Sequence, residues 1–89
     1  MWKTGTVLRS LAGRDKGYLL CAFGGEEDFA LVCDGKERPL QRPKRKNRKH
    51  LVALEDVMPL EPEALRGNRA LRRRLRQIEE ERLMQGAEI

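Results

Sequence analysis

Histidine, cysteine and aromatic residues, which build most catalytic sites and many binding sites, are scarce in this sequence. Its 89 residues include one histidine, two cysteines, one tryptophan, one tyrosine and two phenylalanines. The histidine, His50, has no partner nucleophile or carboxylate pattern that would suggest proton transfer. The sequence also lacks a glycine-rich phosphate loop and any spacing typical of metal ligands. We therefore expect a protein that is not an enzyme and needs no cofactor or metal.

Long apolar segments are missing as well. No stretch approaches the roughly 18 apolar residues of a membrane span, and the N-terminal segment lacks the apolar run of a secretory signal. A chain of 89 residues has little room for a deep pocket, because small domains bury a modest share of their surface. We expect one soluble, cytoplasmic domain whose partner is neither a membrane nor a small-molecule substrate.

The two cysteines, Cys21 and Cys33, lie inside apolar runs. The favoured interpretation is a pair of buried, reduced core residues. A disulfide between adjacent strands is the alternative, but no feature of the sequence indicates the oxidising compartment that it would need.

Positive charge is what the sequence has in excess. Lysine and arginine number 19 against 14 aspartate and glutamate, a net charge of +5, which favours nucleic acid as a partner before anionic membrane. Residues 36–50 hold eight of these cations and one acidic residue, Glu37. A phosphate backbone that binds there and releases its counterions relieves the self-repulsion of the cluster. A solubilising loop and a nuclear-localisation signal are the alternatives. The cations are Lys36, Arg38, Arg42, Lys44, Arg45, Lys46, Arg48 and Lys49.

The few aromatic side chains narrow the kind of nucleic acid. Proteins that bind single strands stack bases on several aromatic residues, and grooves for proline-rich peptides are aromatic too. We predict Phe23 and Phe29 to be core residues. Tyr18, which follows a turn, either stacks a base or is an ordinary surface tyrosine. The composition therefore favours structured RNA recognised through its backbone.

Between residues 4 and 54, short apolar runs alternate with Gly, Asp and Pro, which predicts a small five-stranded barrel rather than helices. Asp34-Gly35 predicts a type I′ hairpin turn, so the fourth strand is expected to begin at Lys36 and to end near Pro39. Residues 41–50 are then expected to form a basic arm. The other predicted strands are residues 4–10, 18–23, 29–33 and 50–54.

Gly13 and Gly17 enclose three charged residues, which predicts a turn with positive φ at the glycines. Arg14 and Lys16 project from the tip of this predicted turn, and cations on a rigid turn lose little entropy when they contact phosphates. The alternative is an ordinary charged turn, which Asp15 between the two cations favours.

Beyond the barrel, an acidic, proline-containing connector leads to helical sequence. Pro62 fits the start of a short helical turn that ends at Gly67. Asn68 then fits the N-cap of a helix that runs to about Gln85, with Gly86 just past its end.

The predicted helix carries an apolar stripe of Leu71, Leu75 and Ile78 by which it can lie on the barrel. Its charges run against the helix dipole, with arginines in the first half and glutamates in the second, and Arg76 can pair with Glu80 one turn on. We infer a second cationic surface, for RNA or for an acidic protein, or else a solvated helix docked by its stripe. The charged residues are Arg69, Arg72, Arg73, Arg74, Arg76, Glu79, Glu80 and Glu81.

Three segments resemble the KOW motif and its surroundings: GTVLRS with AGRDKG (residues 5–10 and 12–17), ALVCDGKERPL (30–40) and PKRKNRKHL (43–51). The sequence is similar over roughly residues 3–54 to the bacterial KOW-domain RNA-binding proteins, which are related to SH3-like large-subunit ribosomal proteins of archaea and eukaryotes. The resemblance implies an SH3-like barrel with ribosomal or another structured RNA as its ligand. It also implies that Gly13 is the motif's central glycine, with Arg14 and Lys16 beside it.

We therefore expect a mainly β protein: a five-stranded SH3-like barrel of the KOW type in residues 1–56, and a connector with a helical extension in residues 57–89. Its expected function is to bind ribosomal or other structured RNA through backbone phosphates, in association with the ribosome or translation. The alternative is a protein-interaction module that docks an acidic surface of the ribosome or of the transcription machinery. The expected RNA-binding residues are Arg14, Lys16 and the eight cations of residues 36–50.

Overall fold

A computed structural model describes residues 2–87, so Met1, Glu88 and Ile89, at the ends of the two predicted segments, lie outside the described chain. Five strands and one long helix make up the fold, with two short 3₁₀ helices between them. The elements are β1 (Val7–Ser10), β2 (Leu19–Gly25), β3 (Phe29–Cys33), β4 (Lys44–Asn47), β5 (Leu51–Ala53) and α1 (Asn68–Ala87), and the 3₁₀ helices are Arg48–His50 and Pro62–Leu65. Within residues 2–87, no helix combines the length and the apolar character needed to cross a bilayer.

All five strands belong to one antiparallel sheet of order β4-β3-β2-β1-β5. Strands β1 to β4 follow one another across the sheet, and β5 returns to pair with the free side of β1. Strands β4 and β5 are the two edges, and they do not pair with each other in the described chain. The fold is therefore a small β-rich domain with a C-terminal helix.

The sheet buries apolar side chains on both faces, because successive residues of a strand point to opposite sides. In β2, Leu20 and Ala22 face one side, and Leu19 and Cys21 face the other. The first side holds an inner cluster: Leu8, Leu20, Ala22, Ala30, Val32 and Leu51. The second holds a helix-side cluster: Val7, Leu19, Cys21, Cys33, Leu60, Ala64, Leu71, Leu75 and Ile78. Helix α1 thus covers one face of the sheet through the stripe that the sequence predicts.

The two cysteines are buried, free and directly opposite each other on β2 and β3. The neighbouring Cys33 thiol and burial together raise the pKa of Cys21, and a buried thiol that stays protonated is a poor nucleophile. The prediction that both cysteines are buried core residues is confirmed.

The prediction for the fourth strand is wrong. Strand β4 begins at Lys44 rather than at Lys36, and residues 34–43 form a loop. A type I′ turn needs positive φ at both central residues, but Gly35 has a φ of +81° and no non-glycine residue in the described chain has a positive φ. Asp34 instead accepts hydrogen bonds at Oδ1 from the backbone N–H groups of Lys36 (2.8 Å) and Arg38 (3.0 Å). These bonds hold a wider loop.

Gly35 lies against the start of helix α1, a contact that the Asp-Gly hairpin pattern does not predict. A Cβ atom at this position would overlap the backbone of Asn68 at the start of α1, and Arg72 donates a hydrogen bond to the Gly35 carbonyl at 3.1 Å. The glycine therefore allows the helix to approach the loop closely. Four residues of the predicted basic arm form the edge strand β4 instead, pairing with β3 from Phe29 to Val32.

The two predicted ends of the long helix need correction as well. Asn68 does not cap α1, because its side-chain carbonyl accepts the N–H of Leu40 (2.7 Å) and its amide donates to Gln41 (2.8 Å). The asparagine thus fastens the 34–43 loop to the helix. Gly86 does not end the helix, which continues to Ala87. The predicted helical turn at Pro62 is present, and it ends at Leu65.

Candidate nucleic-acid interface

The turn between β1 and β2 has the backbone that its glycines predict. Gly13 and Gly17 have φ values of +90° and +89°. The N–H of Gly17 donates to the Ser10 carbonyl at 2.8 Å, and the N–H of Tyr18 donates to the Asp15 carbonyl at 2.9 Å. Because these bonds close the turn at its base, the side chains at its tip leave from a fixed backbone.

Asp15, in the middle of this turn, joins three parts of the molecule. Its Oδ1 accepts hydrogen bonds from Ser10 Oγ (2.7 Å) and Lys46 Nζ (2.9 Å), and its Oδ2 forms an ion pair with Arg38 Nε at 3.4 Å. The Asp15 side chain is only 11% exposed. We call Asp15, Ser10, Arg38 and Lys46 the Asp15 cluster; it ties the turn to β4 and to the 34–43 loop.

The chemistry of the cluster favours an ionised carboxylate. Burial alone would raise the pKa of Asp15, but hydrogen bonds from Ser10 and Lys46 and the positive charges of Lys46 and Arg38 outweigh that effect. The net result is a pKa of Asp15 below its ordinary value. The cluster combines two cations with one anion, so it keeps a positive charge while fixing its members in place.

Two of the ten predicted RNA-binding residues are therefore partly occupied within the protein. The side chains of Arg38 and Lys46 are 19% and 12% exposed, and Lys46 also donates to the Ala12 carbonyl at 2.9 Å. Their geometry suits them to hold the turn, β4 and the 34–43 loop together more than to contact a ligand.

Arg14 and Lys44 are brought together by the fold, although 30 positions separate them along the chain. Both are exposed, and together with Arg38 and Tyr18 they line a depression of about 380 Å³ between the turn and the 34–43 loop. Lys16 is exposed at the tip of the same turn.

Two further predicted residues rest on aromatic rings. The guanidinium carbon of Arg45 lies 4.0 Å from the ring centre of Phe29, and that of Arg48 lies 4.3 Å from the ring centre of Trp2. Phe29 is half-buried and belongs to neither apolar cluster, so it is a platform for Arg45 rather than a core residue. Such cation–π contacts orient a guanidinium while leaving its N–H groups free to donate.

The last three predicted residues lie apart from that depression. Lys36, Arg42 and Lys49 are exposed, and none of them lines the depression of Arg14 and Lys44. Lys36 lies instead beside Arg72 and Arg76 of α1. The structure thus groups some of the predicted cations around the β1–β2 turn and spreads the rest over the 34–43 loop and the 3₁₀ helix after β4.

The helix contributes contacts that the sequence alone did not reveal. Arg9 of β1 binds Glu79 of α1 with two hydrogen bonds, at 2.8 and 3.0 Å, and also donates to the Gly17 carbonyl at 2.6 Å. The hydrogen bond from Arg9 holds the pKa of Glu79 below its ordinary value. This pair fastens the helix to the turn.

Other helix arginines bind the acidic connector. Arg74 pairs with Glu61 at 3.1 Å and Arg82 with Asp56. Among the described residues, the predicted pair of Arg76 with Glu80 is not formed. Of the eight helix charges that oppose the dipole, Arg72, Arg74 and Glu79 are thus used in contacts with other elements.

Across residues 2–87, no three His, Cys, Asp or Glu side chains are placed to share a metal ion. No protein-family model and no curated protein matches this sequence. The geometry of the chain itself is therefore the basis for assigning a function.

Proposed function

We propose that this chain is an RNA-binding protein that holds ribosomal or another structured RNA by its backbone phosphates, in association with the ribosome or translation. The observation that carries the proposal is the array of exposed cations on the β1–β2 turn, the edge strand β4 and the adjoining loops. Seven of the ten predicted residues are exposed: Arg14, Lys16, Lys36, Arg42, Lys44, Arg45 and Lys49. Within residues 2–87, none of these seven is in an ion pair.

The anchoring of these cations supports the proposal. Arg14 and Lys16 leave from a turn closed by backbone hydrogen bonds, and Lys44 leaves from a strand paired with β3. Ordering a flexible lysine or arginine at an interface costs about 0.5–1.5 kcal/mol. A fixed backbone lowers the total cost, so these side chains are better placed for phosphates than the same residues on a free tail.

The proposal includes a finer description of the fold: the sheet forms an SH3-like barrel of the KOW type. Two observations support it. The inner cluster gathers residues of β1, β2, β3 and β5 on one face of the sheet, including Val32 and Leu51, and a sheet that curls around such a cluster is typical of a small barrel. Gly13, the central glycine of the resemblance, has the positive φ of a tight turn.

Salt dependence tests the proposal. Six to eight phosphate contacts predict a slope of log affinity against log salt of roughly −4 to −7. We expect that slope when the purified protein is titrated into a structured fragment of ribosomal RNA by fluorescence anisotropy. A slope near zero, or no binding at low salt, contradicts the proposal.

A second candidate function is a module that docks an acidic protein surface of the ribosome or of the transcription machinery. It is favoured by Arg66, Arg69 and Arg73, which are exposed near the start of α1 and lie outside the sheet interface. Affinity capture from lysate, with and without nuclease, separates the two. Partners that depend on RNA support the first proposal, and partners that survive nuclease treatment support the second.

A further inference from the structure

Tyr18 is an exposed aromatic side chain on a rigid backbone. Its side chain is 66% exposed, and of the aromatic residues within residues 2–87 it alone is exposed. Its N–H donates to the Asp15 carbonyl (2.9 Å) and its carbonyl accepts from the Ser10 N–H (3.0 Å). A single exposed apolar side chain is common at a protein surface, so the case for a ligand rests on what surrounds the ring.

Two adjacent depressions meet at Tyr18, and Asp34 also lines both of them. The first, of about 380 Å³, contains Arg14 and Lys44. The second, of about 320 Å³, lies between Tyr18 and helix α1. We call the two depressions together the Tyr18 groove. The volume of each depression lies near the lower end of the roughly 300–1,000 Å³ typical of small-ligand sites.

The second depression has an apolar floor and a cationic rim. Leu19 and Leu75 form the floor, and Lys36, Arg72 and Arg76 stand around it. Tyr18 presents an exposed ring beside the largely buried Leu19 and Leu75, while cations line the depressions on both sides of the tyrosine. This arrangement suits a planar apolar group carried on a chain with negative charges on either side.

The groove also contains acidic residues, but most of them are bound by other groups of the protein, so the groove stays positively charged. Glu79 is bound by Arg9, and Asp15 is bound by Lys46 and Arg38. Asp34 accepts two backbone N–H groups. Glu37 and Glu80 are the exposed carboxylates of the rim, against the exposed cations Arg14, Lys36, Lys44 and Arg76.

We propose that the Tyr18 groove binds one unpaired nucleotide of a structured RNA. The base stacks on Tyr18 over the Leu19 and Leu75 floor, and the phosphates on its two sides meet Arg14 with Lys44 and Lys36 with Arg76. The inference rests on the proposed RNA-binding function and narrows its ligand to a helix interrupted by a bulge or loop. Stacking of a base on an aromatic ring raises affinity roughly 5- to 150-fold and tolerates any base, so the site reads the presence of an unpaired base and not its identity.

The test compares two RNA duplexes of the same sequence, one fully paired and one with a single bulged 2-aminopurine nucleotide. Binding to the two duplexes is compared by anisotropy at each of several salt concentrations, and stacking is measured by quenching of the 2-aminopurine fluorescence. We expect the wild-type protein to bind the bulged duplex about tenfold more tightly than the paired one and to quench the bulged base.

Three variants locate the effect. Tyr18→Ala is expected to bind both duplexes alike and to lose the quenching, whereas Tyr18→Phe, which keeps the ring, is expected to retain both properties. Leu11→Ala, at another exposed apolar residue beside the same turn, is the matched control and is expected to behave like the wild type. Because Tyr18 and Leu11 are both exposed, circular dichroism should show unchanged folding in all three variants.

The outcomes separate the two proposals. Equal, steeply salt-dependent affinity of the wild type for both duplexes would leave phosphate binding standing and overturn the nucleotide site. A bulge preference that persists in Tyr18→Ala overturns it too. Binding to neither duplex overturns both proposals.

Discussion

Two regions of this molecule are rich in arginine and lysine, and the structure treats them differently. Around the β1–β2 turn and β4, one buried carboxylate, that of Asp15, organises two cations, and the neighbouring cations Arg14 and Lys44 are exposed. Along α1, Arg74 and Arg82 form ion pairs with residues of the acidic connector. A run of positive charge in a sequence therefore indicates a binding surface only where its side chains are exposed and do not pair with acidic residues of the protein itself.

The close contact between the 34–43 loop and helix α1 gives the largest expected effect on stability. Gly35→Ala forces an L side chain into a φ of +81° and against the backbone of Asn68. Positive φ costs about 1–2 kcal/mol and overpacking a further 1–3 kcal/mol, roughly, so we expect the free energy of unfolding to fall by about 3 kcal/mol in urea denaturation.

Gly17→Ala is the matched control for that variant. Its φ is +89°, but no atom lies within 4 Å of the added Cβ, so only the backbone cost of about 1–2 kcal/mol applies. Equal losses in the two variants would contradict the close approach of helix and loop.

Removal of the Asp15 charge breaks the organisation of the sheet region. Asp15→Asn leaves Arg38 and Lys46 with little exposure and no counter-charge, and hydrogen bonds to charged groups contribute about 1.5–3 kcal/mol. We expect a loss of about 2 kcal/mol in the free energy of unfolding. Asp28→Asn, which changes an exposed carboxylate at a hairpin, is expected to change it by less than about 0.5 kcal/mol.

The pH dependence of stability, compared between the wild type and Asp15→Asn, tests whether the charge of Asp15 is the source of its contribution. The pKa of Asp15 is lower in the folded state than the unfolded value of about 3.9, so its contribution is complete above that pH and is lost as pH falls through the folded-state pKa. The stability difference between wild type and Asp15→Asn should therefore shrink below about pH 4. A difference that stays constant down to about pH 2 would mean that the carboxylate is not the source.

The turns and the apolar patterns were predictable because they are local. The positive φ of Gly13 and Gly17, the bounds of β3 and the stripe on α1 each follow from a few neighbouring residues. Asp15 and Lys46 are 31 positions apart, and Arg9 and Glu79 are 70 apart, so no local pattern reveals those contacts. The fourth strand was misplaced because the Asp-Gly rule describes an isolated hairpin, while Gly35 is held by a helix that starts more than 30 residues later.

A smaller effect is expected for the pair that fastens the helix to the turn. A double-mutant cycle of Arg9→Gln and Glu79→Gln should give a coupling energy of about 1 kcal/mol, because the contact is bidentate and partly buried. The same cycle on Arg76 and Glu80, which do not pair in the described chain, should give about zero. Similar coupling energies in the two cycles would show that the Arg9–Glu79 contact stabilises the protein no more than an unpaired Arg and Glu on the same helix do.

The smallest effects are expected for the helix arginines that bind the connector. Arg74→Ala and Arg82→Ala should each change the free energy of unfolding by about 0.5 kcal/mol or less, because their partners Glu61 and Asp56 are 47% and 63% exposed and exposed ion pairs contribute little. Thermal denaturation of both variants checks this. Losses as large as that of Asp15→Asn would remove the distinction between the two regions.

The measurement that tests the central claim most directly compares two variants that lose the same charge. One replaces Arg14, Lys44 and Arg45 on the sheet side by alanine, and the other replaces Arg66, Arg69 and Arg73 on the helix side. Each variant is titrated into the bulged RNA duplex over a range of salt. We expect the salt slope of the sheet variant to weaken by about 2–3 and that of the helix variant to change by less than about 1. Equal changes in the two variants, or a larger change in the helix variant, would contradict an RNA interface on the β1–β2 turn and β4.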